Sequence, residues 1–84
     1  MQITETWSVS SGRIRDFFLT QNDARENEDG SFSFGQCEVR VSPLPPRRVG
    51  RFSFPQTHLV FDGPKEDTET IHRRFVLQFI SAGG

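Results

Sequence analysis

Apolar residues are scarce in this chain: only 33% of its 84 positions are hydrophobic, and its mean hydropathy is −0.53. So small and polar a chain supports one modest core and has little room for a deep catalytic cleft. Area scaling gives roughly 5,000 Å² exposed when folded against ~14,000 Å² unfolded, enough for a single sheet with its covering. No apolar run reaches membrane-spanning length, and no secretory apolar segment is present. The single cysteine, Cys37, cannot close an internal disulfide, so a disulfide scaffold is excluded and a reducing cytoplasm is the expected setting. An excess of either charge is also missing. Ten basic against eleven acidic residues leave a net charge of −1, which disfavours both a strongly basic nucleic-acid binder and an acidic solvating tail. Lysine is nearly absent, Lys65 standing against nine arginines; coding bias accounts for this without a demand for bidentate anion binding.

What the chain does have is phenylalanine, nine copies in all. Residues 2–9 alternate, with Ile3, Glu5, Trp7 and Val9 on one side and Gln2, Thr4, Thr6 and Ser8 on the other, as a half-exposed strand does. A turn follows at Ser10–Arg13. Residues 13–20 fit two periods: Ile14, Phe17 and Phe18 suit a short helix, whereas Arg13, Arg15, Phe17 and Leu19 suit a returning strand. The brevity of the run and the strand just upstream favour the strand. Residues 21–30 are polar and acidic and read as a solvated loop.

The middle of the chain contains an echo. SFSFGQCEVRV at 31–41 and RFSFPQTHLVF at 51–61 match at Phe32, Ser33, Phe34 and Gln36 against Phe52, Ser53, Phe54 and Gln56. Each copy changes phase at a breaker, Gly35 or Pro55, and a one-residue bulge there returns all its apolar residues to one face. The copies are expected to pair antiparallel around a Pro/Arg loop at 42–50, with Val41 opposite Phe52 and Phe32 opposite Phe61. At 71–80 a strand competes with a helix running from Pro64. The helix would have Pro64 at its start, early acids and a Glu69–Arg73 pair. Residues 64–70 lack an apolar position, however, and 75–80 would wrap apolar groups all round a helix. The strand reading places Ile71 opposite Leu59. The expected fold is therefore all-β: a small, curved, five-stranded antiparallel sheet or partly open barrel in one domain over 1–84, with a flexible tail at 81–84. The alternative is α+β with a C-terminal helix.

Catalytic chemistry is not nominated, so no enzyme activity and no cofactor are expected. Cys37 falls on the core face, no serine sits in a nucleophile-elbow context, and no acid–base pair stands out. His58 and His72 are expected across from each other on the outer face, without a third metal ligand. The acidic loop fails the EF-hand spacing, because Gln36 occupies the place of the bidentate acid. Positive interest centres on residues 42–48, SPLPPRR. Pro43, Pro46 and Arg48 match the PxxPx[KR] pattern of segments that dock aromatic grooves. Arg47, Arg48 and Arg51 cluster there, with Arg73 and Arg74 expected beside them.

The chain closes on Gly83-Gly84. A Gly-Gly directly after a last strand resembles the tail of ubiquitin-like modifiers and sulfur-carrier proteins, which share the β-grasp fold. The resemblance implies that an ATP-dependent enzyme activates the terminal carboxylate, the glycines passing a narrow channel that side chains would obstruct. It also implies a β-grasp-like sheet with a helix after its first hairpin. The main expectation is a non-enzymatic binding domain that engages a protein through Pro43, Pro46, Arg47, Arg48, Arg51, Arg73 and Arg74. The alternatives are single-stranded nucleic-acid binding on an Arg/Phe surface, and the carrier role with Gly83 and Gly84 as the activated end. Homodimerisation through sheet edges is compatible with each of these, and a membrane partner is not expected.

Overall fold

The computed structural model describes residues 1–83. The chain runs β1 (Gln2–Trp7), α1 (Ser11–Thr20), β2 (Ala24–Glu26), β3 (Phe32–Phe34), β4 (Cys37–Val49), β5 (Phe52–Asp62) and α2 (Lys65–Gly83). The strands form one five-stranded antiparallel sheet in the order β1-β5-β4-β3-β2. Both helices pack on one face of it, against Val39, Leu59, Phe61 and Phe32. The five antiparallel strands agree with expectation. The all-β reading does not hold, and the α+β alternative with a C-terminal helix describes the molecule.

Both ambiguous segments are helices, for the same reason. In α1 the i, i+3, i+4 set Ile14, Phe17 and Phe18 is buried while Leu19 is left outside, so the sheet face selects the helical period. Ser10 caps the helix in an extended conformation, its Oγ accepting from the Arg13 N–H at 3.4 Å. Ten residues are too few to hold a helix alone, so packing supplies most of its stability. In α2 the buried stripe is Thr68, Ile71, Phe75 and Phe79, extended by the half-buried Val76. The apolar wrap that argued against this helix is real, but Leu77 and Ile80 simply face outward, each 60% exposed. Glu66 and Asp67 lie in its first turn, where they complement the positive end of the helix dipole. Residues 81–83, expected as a tail, continue α2; Gly84 lies outside the described residues.

The register also differs. Gly35, at φ +57°, closes a tight turn between β3 and β4, so Phe32 and Phe34 form their own strand and pair with Val39 and Cys37. Val41 pairs with Leu59 and Val39 with Phe61. The phase change at Gly35 marks a reversal of the chain, not a bulge. Residues 42–49, expected as a loop, extend β4, and the hairpin turns at Gly50-Arg51 with Val49 opposite Phe52. Gly50 takes φ +60° at the first central position, as a two-residue hairpin with leading glycine requires. Within the acidic segment 21–30, residues Ala24–Glu26 form the edge strand β2.

Beyond Pro43 and Thr57 the β4–β5 hairpin has no other strand beside it and forms an arm. Its two strands go out of step between Leu44 and Arg47, around Pro45-Pro46, where the ladder loses its N–H donors. The arm accounts for a long axis of 42 Å against 28 and 23 Å, and for an accessible surface of 5633 Å², above the scaling value. Its root is fastened at the fully buried Thr57. That hydroxyl donates to the Val9 carbonyl at 2.7 Å and lies 3.1 Å from Ser11 Oγ.

Candidate functional sites: the basic arm and the end of helix α2

Two places remain once the core is accounted for. The first is the arm. Cross-strand pairs Val49–Phe52, Arg47–Phe54 and Leu44–Gln56 put Leu44, Arg47, Val49, Phe52 and Phe54 on one face, with Arg48 and Ser53 on the other. Phe52 is 68% exposed and Phe54 44%. Their rings lie 6.4 Å apart and 28° from parallel. No ion pair among the described residues reaches Arg47, Arg48 or Arg51. Between residues 39 and 61 the chain has four arginines, Arg40 included, and no Asp or Glu, leaving six cations against eleven acids elsewhere.

Sequence reasoning located Pro43, Pro46, Arg47, Arg48 and Arg51 together and missed the aromatic residues among them. The signal was there. Simple alternation back from the buried Thr57, Leu59 and Phe61 puts Phe52 and Phe54 on the opposite face, with no bulge at Pro55. Arg73 and Arg74, expected as adjacent charge, lie elsewhere because they sit on α2. Arg74 Nη1 bonds both Asp23 oxygens, at 2.9 and 3.1 Å, and its guanidinium covers Phe34 at 5.0 Å. It clips α2 to the turn before β2, and its hydrogen bonds hold the Asp23 carboxyl below the usual aspartate range. Arg73 is exposed beside the β1 edge, in a groove of about 370 Å³ that it shares with Ile3, Val76 and Leu77. Arg15 is also committed, to the Gly30 carbonyl at 2.9 Å and to Glu26.

The remaining expectations resolve plainly. His58 stands on the outer sheet face beside Ser42 and Thr6, whereas His72 is on α2 with Nε2 3.0 Å from Glu5 Oε1, so the two imidazoles are not neighbours. The Glu5 oxygen also accepts from Trp7 Nε1 at 3.0 Å. Cys37 is 1% exposed, and burial pushes its thiol pKa up, away from nucleophilic use. In the acidic loop Asp29 accepts from the Ser31 hydroxyl and N–H, at 2.6 and 3.0 Å, and these bonds lower its pKa. Among the described residues no cluster of His, Cys, Asp and Glu could hold a metal, and no helix is long and apolar enough to cross a membrane.

The second place is the C-terminal end of α2. Its first turn touches the β3–β4 turn, where Asp67 accepts from the Gln36 N–H at 2.9 Å. Its last turns reach Trp7, whose ring lies 6.5 Å from that of Phe79. Trp7 pairs with Thr57, the root of the arm. Helix α2 therefore delivers Gly83 to the end of the body from which the arm departs. Gly83 thus continues a helix, not a strand, and α1 follows a single strand where the tail resemblance implied a hairpin.

The site is that of a small α+β protein with a basic aromatic arm and a glycine terminus. The family model for archaeal MoaD-like proteins matches residues 4–84, and the chain belongs to that family. A comparison with curated proteins finds no match.

Proposed function

We propose that this protein is a carrier that presents a C-terminal carboxylate on Gly84 to a protein partner, which activates it with ATP for sulfur transfer or conjugation. The observation that carries the reading is the family match to archaeal MoaD-like proteins, which runs through Gly83-Gly84. The chemistry suits the residues. An adenylating enzyme needs the last residues extended and narrow, and two glycines add no side chain to a channel. Glycine is about 1 kcal/mol less favourable than alanine inside a helix, so unwinding the last turn of α2 to reach a partner costs little. The chain's own part is to supply the carboxylate and a rigid body behind it. The activation chemistry belongs to the partner.

The test is the intact mass of protein carrying an N-terminal tag and recovered from its native host. A terminal thiocarboxylate, or a covalent conjugate that disappears when Gly84 is deleted, is the expected result. An unmodified mass under sulfur-replete growth, with no conjugate, removes the reading.

A further inference from the structure

The arm is too chemically specific to be a passive extension. Exposed phenylalanine is costly on a small protein, yet Phe52 and Phe54 stand out on a hairpin with no core behind them. Their spacing of 6.4 Å is close to two nucleotide steps, at about 3.4 Å per step along one strand. Arg47 shares their face, Arg51 caps the tip and Arg48 occupies the reverse side, so phosphates on either flank of the ribbon meet a guanidinium. The same face runs without interruption onto the uncovered side of the sheet, at His58 and Arg40.

The balanced net charge does not oppose a polyanion at this place. Residues 42 to 50 span about 26 Å in an extended strand, several times the screening length of about 8 Å at physiological salt. The acids of the body are therefore largely screened from the tip, and the local field there is that of the arginines.

The geometry points to the arm as a binding site for single-stranded nucleic acid, with Phe52 and Phe54 stacking on bases two steps apart and Arg47, Arg48 and Arg51 pairing with phosphates. Interleaved aromatic and guanidinium groups without an acid nearby favour this over an acidic protein segment, which would satisfy the arginines but leave both ring faces without flat partners. Self-association through the arm is opposed by the like charges it would bring together. The inference rests on the arm's own residues, and neither proposal depends on the other.

The test is fluorescence anisotropy with a labelled oligothymidylate or oligouridylate of roughly 12 nucleotides, within the usual site sizes. The wild-type chain is expected to bind, with log affinity falling against log salt at a slope of about −2 for three phosphate contacts. Phe52→Ala and Phe54→Ala should each weaken binding by about tenfold or more, with Phe→Leu at either position nearly as damaging because it removes the flat ring. Arg47→Ala, Arg48→Ala and Arg51→Ala combined should flatten the salt slope. Deleting Gly84 should leave binding unchanged. All these side chains lie outside the core, and thermal unfolding of each variant verifies its fold. The proposal is overturned by no saturable signal at low salt, by Phe variants that bind as wild type, or by polyglutamate competing as well as the oligonucleotide. The last result would assign the arm to an acidic polypeptide.

Discussion

The body and the arm are built from the same two strands, β4 and β5, and obey different physics. In the body, side chains at Val39, Leu59 and Phe61 meet two helices and are buried to within 1% of their surface. In the arm the same alternation continues with nothing on either face, and phenylalanine, arginine and proline are all exposed. A strand's inward face is thus defined by what covers it. The arm persists as a hairpin because Gly50 turns it, prolines stiffen it and Thr57 roots it.

The contrast is broken most severely at Phe75, which has no exposed surface and whose ring packs against those of Trp7, Phe17 and Phe61. Phe75→Ala should cost about 3–5 kcal/mol in a denaturant titration, enough to unfold a domain this small. Next comes Gly63, just before α2. A Cβ there would lie 2.6 Å from the Cys37 Cα and 2.7 Å from the Gln36 carbonyl oxygen, and both are backbone atoms. Gly63→Ala should lower the denaturation midpoint by the equivalent of about 1–3 kcal/mol, as overpacking does. A smaller effect is electrostatic. Asp23 and Asp29 have pKa values below the unfolded range, so their contribution is present above the unfolded aspartate pKa and is lost as pH falls through the folded values. Thermal melts should show a shallow acid-side decline that Arg74→Ala and Asp29→Asn each reduce. The smallest change is expected in the arm. Phe52→Ser with Phe54→Ser should shift stability by no more than about 0.5 kcal/mol, the usual range for exposed positions. A shift comparable to that of Phe75→Ala would mean the arm packs on the body and would erase the comparison.

Some of this was legible in the residues. The alternation of Ile3 and Trp7 identified β1, Cys37 and Val39 were placed in the core, and the clustered prolines and arginines marked the segment that became the arm. The helices were not legible because Phe17–Phe18 and Phe75–Ile80 satisfy both periods, and local propensity does not separate them. The pairing of the two FSF copies failed because their likeness suggested one environment. Phe32 and Phe34 face the helices, while Phe52 and Phe54 point to the opposite side of the sheet, which no helix covers.

At the candidate sites the division is similar. Arg73 and Arg74 follow the arm's arginines in composition but are carried away from them by α2, and Arg74 is spent on Asp23. The exposed ring pair was readable from alternation alone, had a bulge not been placed at Pro55.

From its sequence alone, this chain was committed to a small antiparallel sheet, an inert buried thiol, a basic proline-bearing segment and a Gly-Gly terminus. These follow from residue type and local period. The tertiary structure decided which period residues 11–20 and 65–83 would adopt, where the strands would register, and which phenylalanines would be covered. Those outcomes depend on the sheet face as a shared template: the helices form because it buries one stripe of each, and Phe52 and Phe54 stay bare because they lie on the opposite face.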